Sequence, residues 1–430
     1  MATTKMRGLN EFISDIRACK DRDSETKRIE QEIAKIRERF TNEKGLNSYQ
    51  RKKYVWKLLY IHILGYEIDF GHFEAANLIN SPNYEEKYTG YISSSLLVDE
   101  KNDEIWKGLA NSIETDIRSR NENAQSLAFS MIGTSAPEVL VNCLSEHIVD
   151  AALSQKHSIN IRKKAILCLL RMLRKYPDKF DPKKWLAQLT DMFESKYIVL
   201  SFLSSAASLL LGIQAISNPE HFRDIAPKIV RLLHKLVINK ECSLDYLYYQ
   251  TPNPWLQIKL FKILEGWSPV DDKSVLAMIE EILSKILKRT DATKSVNKNN
   301  TDYGILFEAV NVVIHYDKRL NPKLMTDVAK ILVVFVQSNQ ANIKYLGLEA
   351  MCRLSVKQNL SENLTYILPA LVDQDISIRR RALDLLYLIS TPNNANQIVK
   401  ELLGYLETRA DPLIKDELVL KIAILAEKFA

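Results

Sequence analysis

Asn342-Ile343-Lys344-Tyr345-Leu346-Gly347-Leu348-Glu349-Ala350 and Ser377-Ile378-Arg379-Arg380-Arg381-Ala382-Leu383-Asp384-Leu385-Leu386 are copies of one pattern, repeated a third time from Leu413-Ile414-Lys415 into Leu418-Val419-Leu420-Lys421-Ile422. Each copy runs from a short polar turn through an apolar residue and a base into small and branched apolar residues. The three isoleucines lie 35 and 36 residues apart. Ile161-Arg162, opening Ala165-Ile166-Leu167-Cys168-Leu169-Leu170, fits the same template, and Ile198 stands 37 residues further on. A period of that length, with each unit reading as two amphipathic helices, predicts an all-α, right-handed superhelical solenoid of HEAT/armadillo-like helix pairs. One helix pair cannot bury its apolar face alone, so stacking makes the core. The alternative is an irregular all-α globule with accidental spacing. Period-2 alternation, the mark of β structure, is hard to find.

The period implies one continuous array over residues 1–430, with N-terminal helices in 1–46 and repeats in 47–430. Two places interrupt it. Thr251-Pro252-Asn253-Pro254-Trp255 introduces a helix off the regular spacing, and Lys288 to Tyr303 is polar without an apolar pattern, which predicts a mobile loop over about 288–303. The last helix reaches Ala430 with no polar cap after it, as in a piece of a longer array.

Composition excludes more than it identifies. Twelve glycines in 430 residues are few for phosphate loops or tight hairpins. Five cysteines stand singly, so no disulfide framework or metal knuckle is written in them, and a reducing compartment is expected. Walker, GxGxxG, GxSxG and HExxH motifs are missing and the histidines are dispersed, which argues against an enzyme, a metal site or a bound cofactor. Asp69-Phe70-Gly71 spells a kinase triplet without its companion motifs and reads as a turn between helices. The uncharged stretch Tyr197–Pro219 is long enough for a bilayer, but its five serines read as a buried helix and a turn.

All of the net charge sits at one end. Residues 1–60 hold 15 Lys+Arg and 9 Asp+Glu, a balance of +6 equal to that of the whole chain. The densest piece, Arg51-Lys52-Lys53-Tyr54-Val55-Trp56-Lys57, leads without a breaker into Leu58-Leu59-Tyr60-Ile61-His62-Ile63-Leu64. Asn47 or Ser48 can cap this helix, with Gln50 or Arg51 in its first turn. Bases there oppose the helix dipole unless an anion joins them. From Val55 onward the helix is apolar nearly all round, so its wet part should be this N-terminal end. A solvated helix face is the plain reading of such a cluster. Nucleic acid would call for a stripe of bases along later repeats, which the neutral remainder lacks, so no nucleic-acid partner is expected. A membrane headgroup suits a local patch. At roughly 1 kcal/mol per base near an anionic leaflet, five bases supply about 5 kcal/mol, too little for stable anchoring alone.

The residues also carry a resemblance. Met6-Arg7-Gly8-Leu9 with Phe12-Ile13-Ser14-Asp15-Ile16-Arg17 resembles the opening of the alpha-adaptin family, large subunits of the plasma-membrane clathrin adaptor. So do Lys52-Lys53-Tyr54-Val55 with Lys57-Leu58-Leu59, Ile68-Asp69-Phe70-Gly71-His72, Pro254-Trp255-Leu256, Leu306-Phe307-Glu308-Ala309 and Val419 to Lys428. Gamma-adaptins of Golgi and endosomal adaptors share Leu64-Gly65-Tyr66 but lack the Lys-Lys-Tyr, which favours the alpha type; a gamma-type subunit or an unrelated helical-repeat scaffold is the alternative.

The resemblance implies a non-enzymatic trunk that binds phosphatidylinositol bisphosphate through Arg7, Arg51, Lys52, Lys53, Tyr54 and Lys57. It implies that Arg17, with the small sigma subunit, contacts acidic dileucine cargo signals. It further implies beta large and mu medium subunits as partners, and a cytoplasmic, peripheral place on the plasma membrane inner face in clathrin-coated pits. Trp56 stands where the family usually has a smaller residue. The stripe Leu9, Phe12, Ile13 and Ile16 is expected to lie against the sigma subunit.

Overall fold

Ile161, Ile343, Ile378 and Ile414 each enter the first turn of a helix and are buried there. In the computed structural model, which describes residues 6–41, 46–194, 199–217, 224–288, 295–409 and 412–429, the described chain is helical apart from one small hairpin. It forms two compact units, residues 1–189 with 197–216, and residues 190–196 with 217–430. Ile198 of the predicted series lies outside the described residues.

The first unit contains α1 (Arg7–Ala18), α2 (Arg22–Thr41), α3 (Ser48–Ile63), α4 (His72–Ile79), α5 (Tyr84–Leu97), α6 (Asp103–Arg118), α7 (Glu122–Ser135), α8 (Glu138–Leu153) and α9 (Ile159–Lys175). After α10 (Leu186–Glu194) comes its last helix, α11 (Leu200–Gln214). Helices α3, α5, α7, α9 and α11 stack in succession, and α4, α6 and α8 form a second layer on them. Helix α11 is the predicted uncharged stretch. It is 15 residues long and packs on α9, and no described helix is long and apolar enough to cross a membrane.

The second unit repeats this arrangement. Its helices are α12 (Ala226–Val237), α13 (Pro254–Gly266), α14 (Lys273–Leu287), α15 (Val296–Tyr316), α16 (Pro322–Val336), α17 (Ala341–Ser355), α18 (Leu364–Ile367), α19 (Ile376–Leu388), α20 (Ala395–Arg409) and α21 (Pro412–Lys428). Helices α13, α15, α17, α19 and α21 stack as one layer, while α12, α14, α16 and α18 form the other. The repeated pattern is therefore the start of the second helix of each pair. Its base does different work in three of the copies. Lys344 donates to Asp373 Oδ2 at 2.5 Å, Arg379 donates to the Asp373 carbonyl at 2.9 Å, and Arg162 stacks over the Phe202 ring at 4.5 Å.

The Pro252–Pro254 segment breaks the period as predicted, through a hairpin of β1 (Leu247–Tyr248) and β2 (Thr251–Pro252). Tyr249 and Gln250 between them take positive φ values of 45° and 66°, the geometry a two-residue reverse turn requires. Asn253 then caps α13, accepting from the Leu256 amide at 3.3 Å, with Pro254 at the first helical position, where its missing N–H costs nothing.

The mobile loop expected over 288–303 is corrected in its second half. Residues 296–303 are the first two turns of α15, capped by Ser295, whose Oγ accepts from the Lys298 amide at 3.4 Å. Tyr303 anchors the segment edge-on to Phe335, with ring centroids 5.5 Å apart. Once the buried stripe from Ile305 to Tyr316 fixes a helix, adding a polar turn to its front needs no new nucleus, so composition underrates it. Residues 289–294 lie outside the described residues.

Candidate anion-binding site at the N-terminal helices

Helix α3 begins as its sequence requires. The Gln50 amide donates to Asn47 Oδ1 at 2.8 Å and the Asn47 amide donates to Gln50 Oε1 at 3.2 Å, a reciprocal capping box. No acid stands in its first turn. Helices α1 and α2 close over α3 through Phe12, Ile16, Ile29 and Ile61, with Ile33, Tyr60, Tyr66 and Ile68 around them. This corrects the expectation for the α1 stripe. Phe12 and Ile16 belong to the chain's own core, and Leu9 and Ile13 remain half-buried. A four-residue stripe is wide enough to serve an internal face and leave an edge.

The bases of α3 are not one wet cluster, which is the second correction. Lys57 is 5% exposed and pairs with Glu32 of α2, itself 2% exposed. Arg28 donates to the other oxygen of Glu32 at 2.9 Å and to Asp15 Oδ2 at 2.9 Å. Both cations also sit over the Phe12 ring, Arg28 at 5.0 Å and Lys57 at 5.2 Å from its centroid. Burial opposes ionisation of Glu32, but the hydrogen bonds and charges of Lys57 and Arg28 outweigh it and hold the carboxyl below its ordinary range. Lys52, also buried, donates to Glu85 Oε2 of α5 at 2.6 Å. Beside it Glu86 accepts from Ser81 at 2.7 Å. Burial opposes ionisation of Glu86 too, yet hydrogen bonds from Ser48 and Ser81 and the charges of Lys52 and Arg51 keep it low.

Tyr54 is likewise a core residue. Its ring packs with Ile36, Leu58, Leu59 and Leu97 and stands edge-on to Phe40 at 6.1 Å, while its hydroxyl has no hydrogen-bond partner among the described residues. Lys53 lies with its ammonium 4.6 Å from the Tyr54 ring centroid and its stem against α1. A Cβ on Gly8 would lie 3.4 Å from Lys53 Cδ, an ordinary contact, so the Lys53 stem runs directly past this position of α1. Lys53 and Arg51 are half-buried, and neither has an ion-pair partner among the described residues. Arg7, next to Gly8, is fully outside and, among the described residues, bonds only Glu11, one helical turn away, at 2.8 Å. The structure therefore leaves Arg51 and Lys53 outside ion pairs among the described residues, holds Lys52 in an outer pair, and encloses Lys57.

Arg17, at the end of α1, is exposed and has no side-chain partner among the described residues. Asp21, which could have paired with it, instead accepts from the Ser24 amide at 2.7 Å at the head of α2. Trp56 is accommodated by donating from Nε1 to Thr89 Oγ1 at 3.0 Å. Asp69-Phe70-Gly71 is the predicted turn. Asp69 pairs with Arg37 at 2.7 Å, Phe70 meets Phe40, and Gly71 takes φ 83° at the head of α4. Sequence reasoning missed the acids Glu32, Glu85 and Glu86. Glu32 had a signal, because it falls within the stripe Ile29, Ile33 and Ile36 of α2. Glu85 and Glu86 had none, since only packing of α5 on α3 brings them to the bases.

A family model described as the adaptin N terminal region matches residues 25–430. This chain belongs to that adaptin family. The matched span includes Arg51 to Lys57 and leaves Arg7 and Arg17 outside it. Among curated proteins, the chain is 41% identical over 431 residues to AP-2 complex subunit alpha-1 of Arabidopsis thaliana, covering 99% of this chain and 42% of that protein. It is 33% identical over 436 residues to AP-1 complex subunit gamma of Dictyostelium discoideum, covering 98% and 45%. Within the family the resemblance is thus to the alpha type, and the chain spans less than half the length of these relatives. In shape it matches a chain in a homology model of the full-length AP-3 complex in an intermediate open conformation. That match has a TM-score of 0.51 at 19% identity and covers 87% of this chain and 63% of that one, which bears on the fold alone.

Proposed function

We propose that this chain is the trunk of a clathrin-adaptor large subunit of the alpha type. In this reading its N-terminal bases bind the phosphorylated headgroup of phosphatidylinositol bisphosphate. Arg17, together with a small sigma subunit, contacts acidic dileucine signals, and beta and mu subunits complete the complex. The protein would work peripherally on the inner face of the plasma membrane in endocytosis. The similarity to AP-2 alpha subunits supports the adaptor part. One observation supports the lipid part: Lys53 and Arg51 form no ion pair among the described residues, and the Lys53 stem lies beside Gly8, the neighbour of Arg7 in α1. With three bases plus a displaceable Lys52, the attraction to an anionic leaflet is about 3–4 kcal/mol, so binding by this chain alone is weak and salt-sensitive, and multivalent assembly strengthens it.

The test is sedimentation with vesicles of phosphatidylcholine alone, with phosphatidylserine, or with phosphatidylinositol bisphosphate at matched total charge. Charge reversal at Arg51 and Lys53 is expected to abolish binding to the bisphosphate vesicles while the far-ultraviolet dichroism stays helical. Equal binding to both anionic vesicles, unaffected by Tyr54→Phe, would reduce the site to a generic basic edge.

A further inference from the structure

Two lysines of α3 are buried in ion pairs, and the two pairs differ in one respect. The Lys57–Glu32 pair is closed on both sides, with side-chain exposures of 6% and 3%. In the Lys52–Glu85 pair the lysine is 11% exposed and the glutamate 59%. Holding a base as buried as Lys52 without an anion against it is costly. Glu85 supplies that anion from the first turn of α5, where its amide is held by Asn83 Oδ1 at 2.9 Å and its carboxylate reaches across to Nζ at 2.6 Å. More than half of the Glu85 side chain is in water, so it can leave without opening any core. Glu32 cannot.

We propose that Glu85 is a displaceable counter-ion: it occupies Lys52 in the free protein and yields that lysine to a multiply phosphorylated headgroup. This rests on reading the N-terminal bases as a headgroup site. Its consequence is selectivity. A singly charged lipid offers one anion in exchange for one carboxylate and gains nothing by displacing it. A bisphosphate headgroup, already held by Arg51 and Lys53, adds further phosphate oxygens at high local concentration and wins the exchange. Glu86, kept ionised by Ser48, Ser81, Lys52 and Arg51, stays behind as part of the wall and raises the same threshold.

The experiment measures binding of the full chain to the three vesicle types for Glu85→Gln, for Glu85→Asp, and for Glu30→Gln. Glu30 is an exposed α2 acid without an ion pair among the described residues, so its variant makes the same charge change without freeing a base. Glu85→Asp keeps the charge and withdraws the carboxylate by one methylene, which separates release of Lys52 from a change in net charge. Both Glu85 variants are expected to bind phosphatidylserine vesicles more tightly, by roughly two- to fivefold as for an exposed ion pair released. They narrow the preference for bisphosphate, and Glu30→Gln does not. In a Lys52→Gln background the Glu85 effect is expected to vanish. If the wild type prefers bisphosphate but the Glu85 variants match Glu30→Gln, the counter-ion role is wrong and the headgroup site stands. If the wild type shows no preference for bisphosphate, the headgroup reading itself falls and takes this inference with it.

Discussion

Lys57 of α3 and Glu32 of α2 form an ion pair enclosed on both sides, with Phe12 of α1 beneath the ammonium. Three helices that are separate in sequence are joined at this one contact. The base that the motif places among the lipid ligands is thereby committed to the fold.

Truncating Glu32 leaves Lys57 as a buried, unpaired charge, whereas truncating Lys57 leaves Glu32 paired with Arg28. Glu32→Ala is expected to destabilise the N-terminal helices by about 3–5 kcal/mol, whereas Lys57→Met with Glu32→Leu is expected to be near neutral. Urea unfolding of the two variants checks this. Loss of vesicle binding in the Glu32→Ala variant would then report unfolding, and binding retained by the double variant would confirm that Lys57 is no ligand.

Glu32 also predicts a pH dependence. Its folded carboxyl is held below the ordinary value of 4.5, so the unfolded chain takes up the proton first. The stability it confers is complete above about pH 4.5 and is lost as pH falls through the lower folded value. Glu32→Gln is expected to lower stability at neutral pH and to flatten the acid limb. Unfolding midpoints followed from pH 7 to pH 3 would show the two curves converging.

Gly71 and Gly65 separate strain from crowding. Both have positive φ, 83° and 96°. A Cβ at Gly65 meets open space, while one at Gly71 would lie 2.4 Å from Leu58 Cδ1 and 3.1 Å from the Phe40 ring. Gly65→Ala is expected to cost about 1–2 kcal/mol from backbone strain alone. Gly71→Ala adds overpacking of roughly 1–3 kcal/mol. Thermal denaturation that ranks the two the other way would contradict the packing of α3 on the Asp69–Gly71 turn.

Arg17 is exposed and unpaired among the described residues, so Arg17→Ser is expected to leave stability within about 0.5 kcal/mol. With a sigma subunit present, the same change is expected to weaken binding of an acidic dileucine peptide by about 1–3 kcal/mol. Calorimetry on the two-chain assembly measures it, and unchanged affinity returns Arg17 to an ordinary surface role.

Asn47 closes the capping box of α3. Asn47→Ala is expected to cost about 1 kcal/mol. By freeing the Gln50 amide for a phosphate, it is also expected to leave bisphosphate-vesicle binding intact in the folded protein. A parallel loss of binding and stability would mean that the helix start, rather than its bases, holds the site.

Local pattern in the chain was enough for the helix pairs, because an apolar stripe and a recurring turn are properties of neighbouring residues. The spacing alone places Ile161, Ile343, Ile378 and Ile414 on buried helix starts, and Asn47 and Pro254 read as helix beginnings for the same reason. The polar start of α15 escaped, since its helicity is borrowed from the buried residues that follow it. At the N-terminal site the residue types were legible and their states were not. Whether a lysine is free, gated or enclosed depends on which carboxylates other helices bring to it. Glu32 arrives from α2, and Glu85 and Glu86 arrive from α5, at separations along the chain that no local pattern records. Coulomb attraction and burial act through space, so the tertiary structure alone decided which of Arg51, Lys52, Lys53 and Lys57 face water.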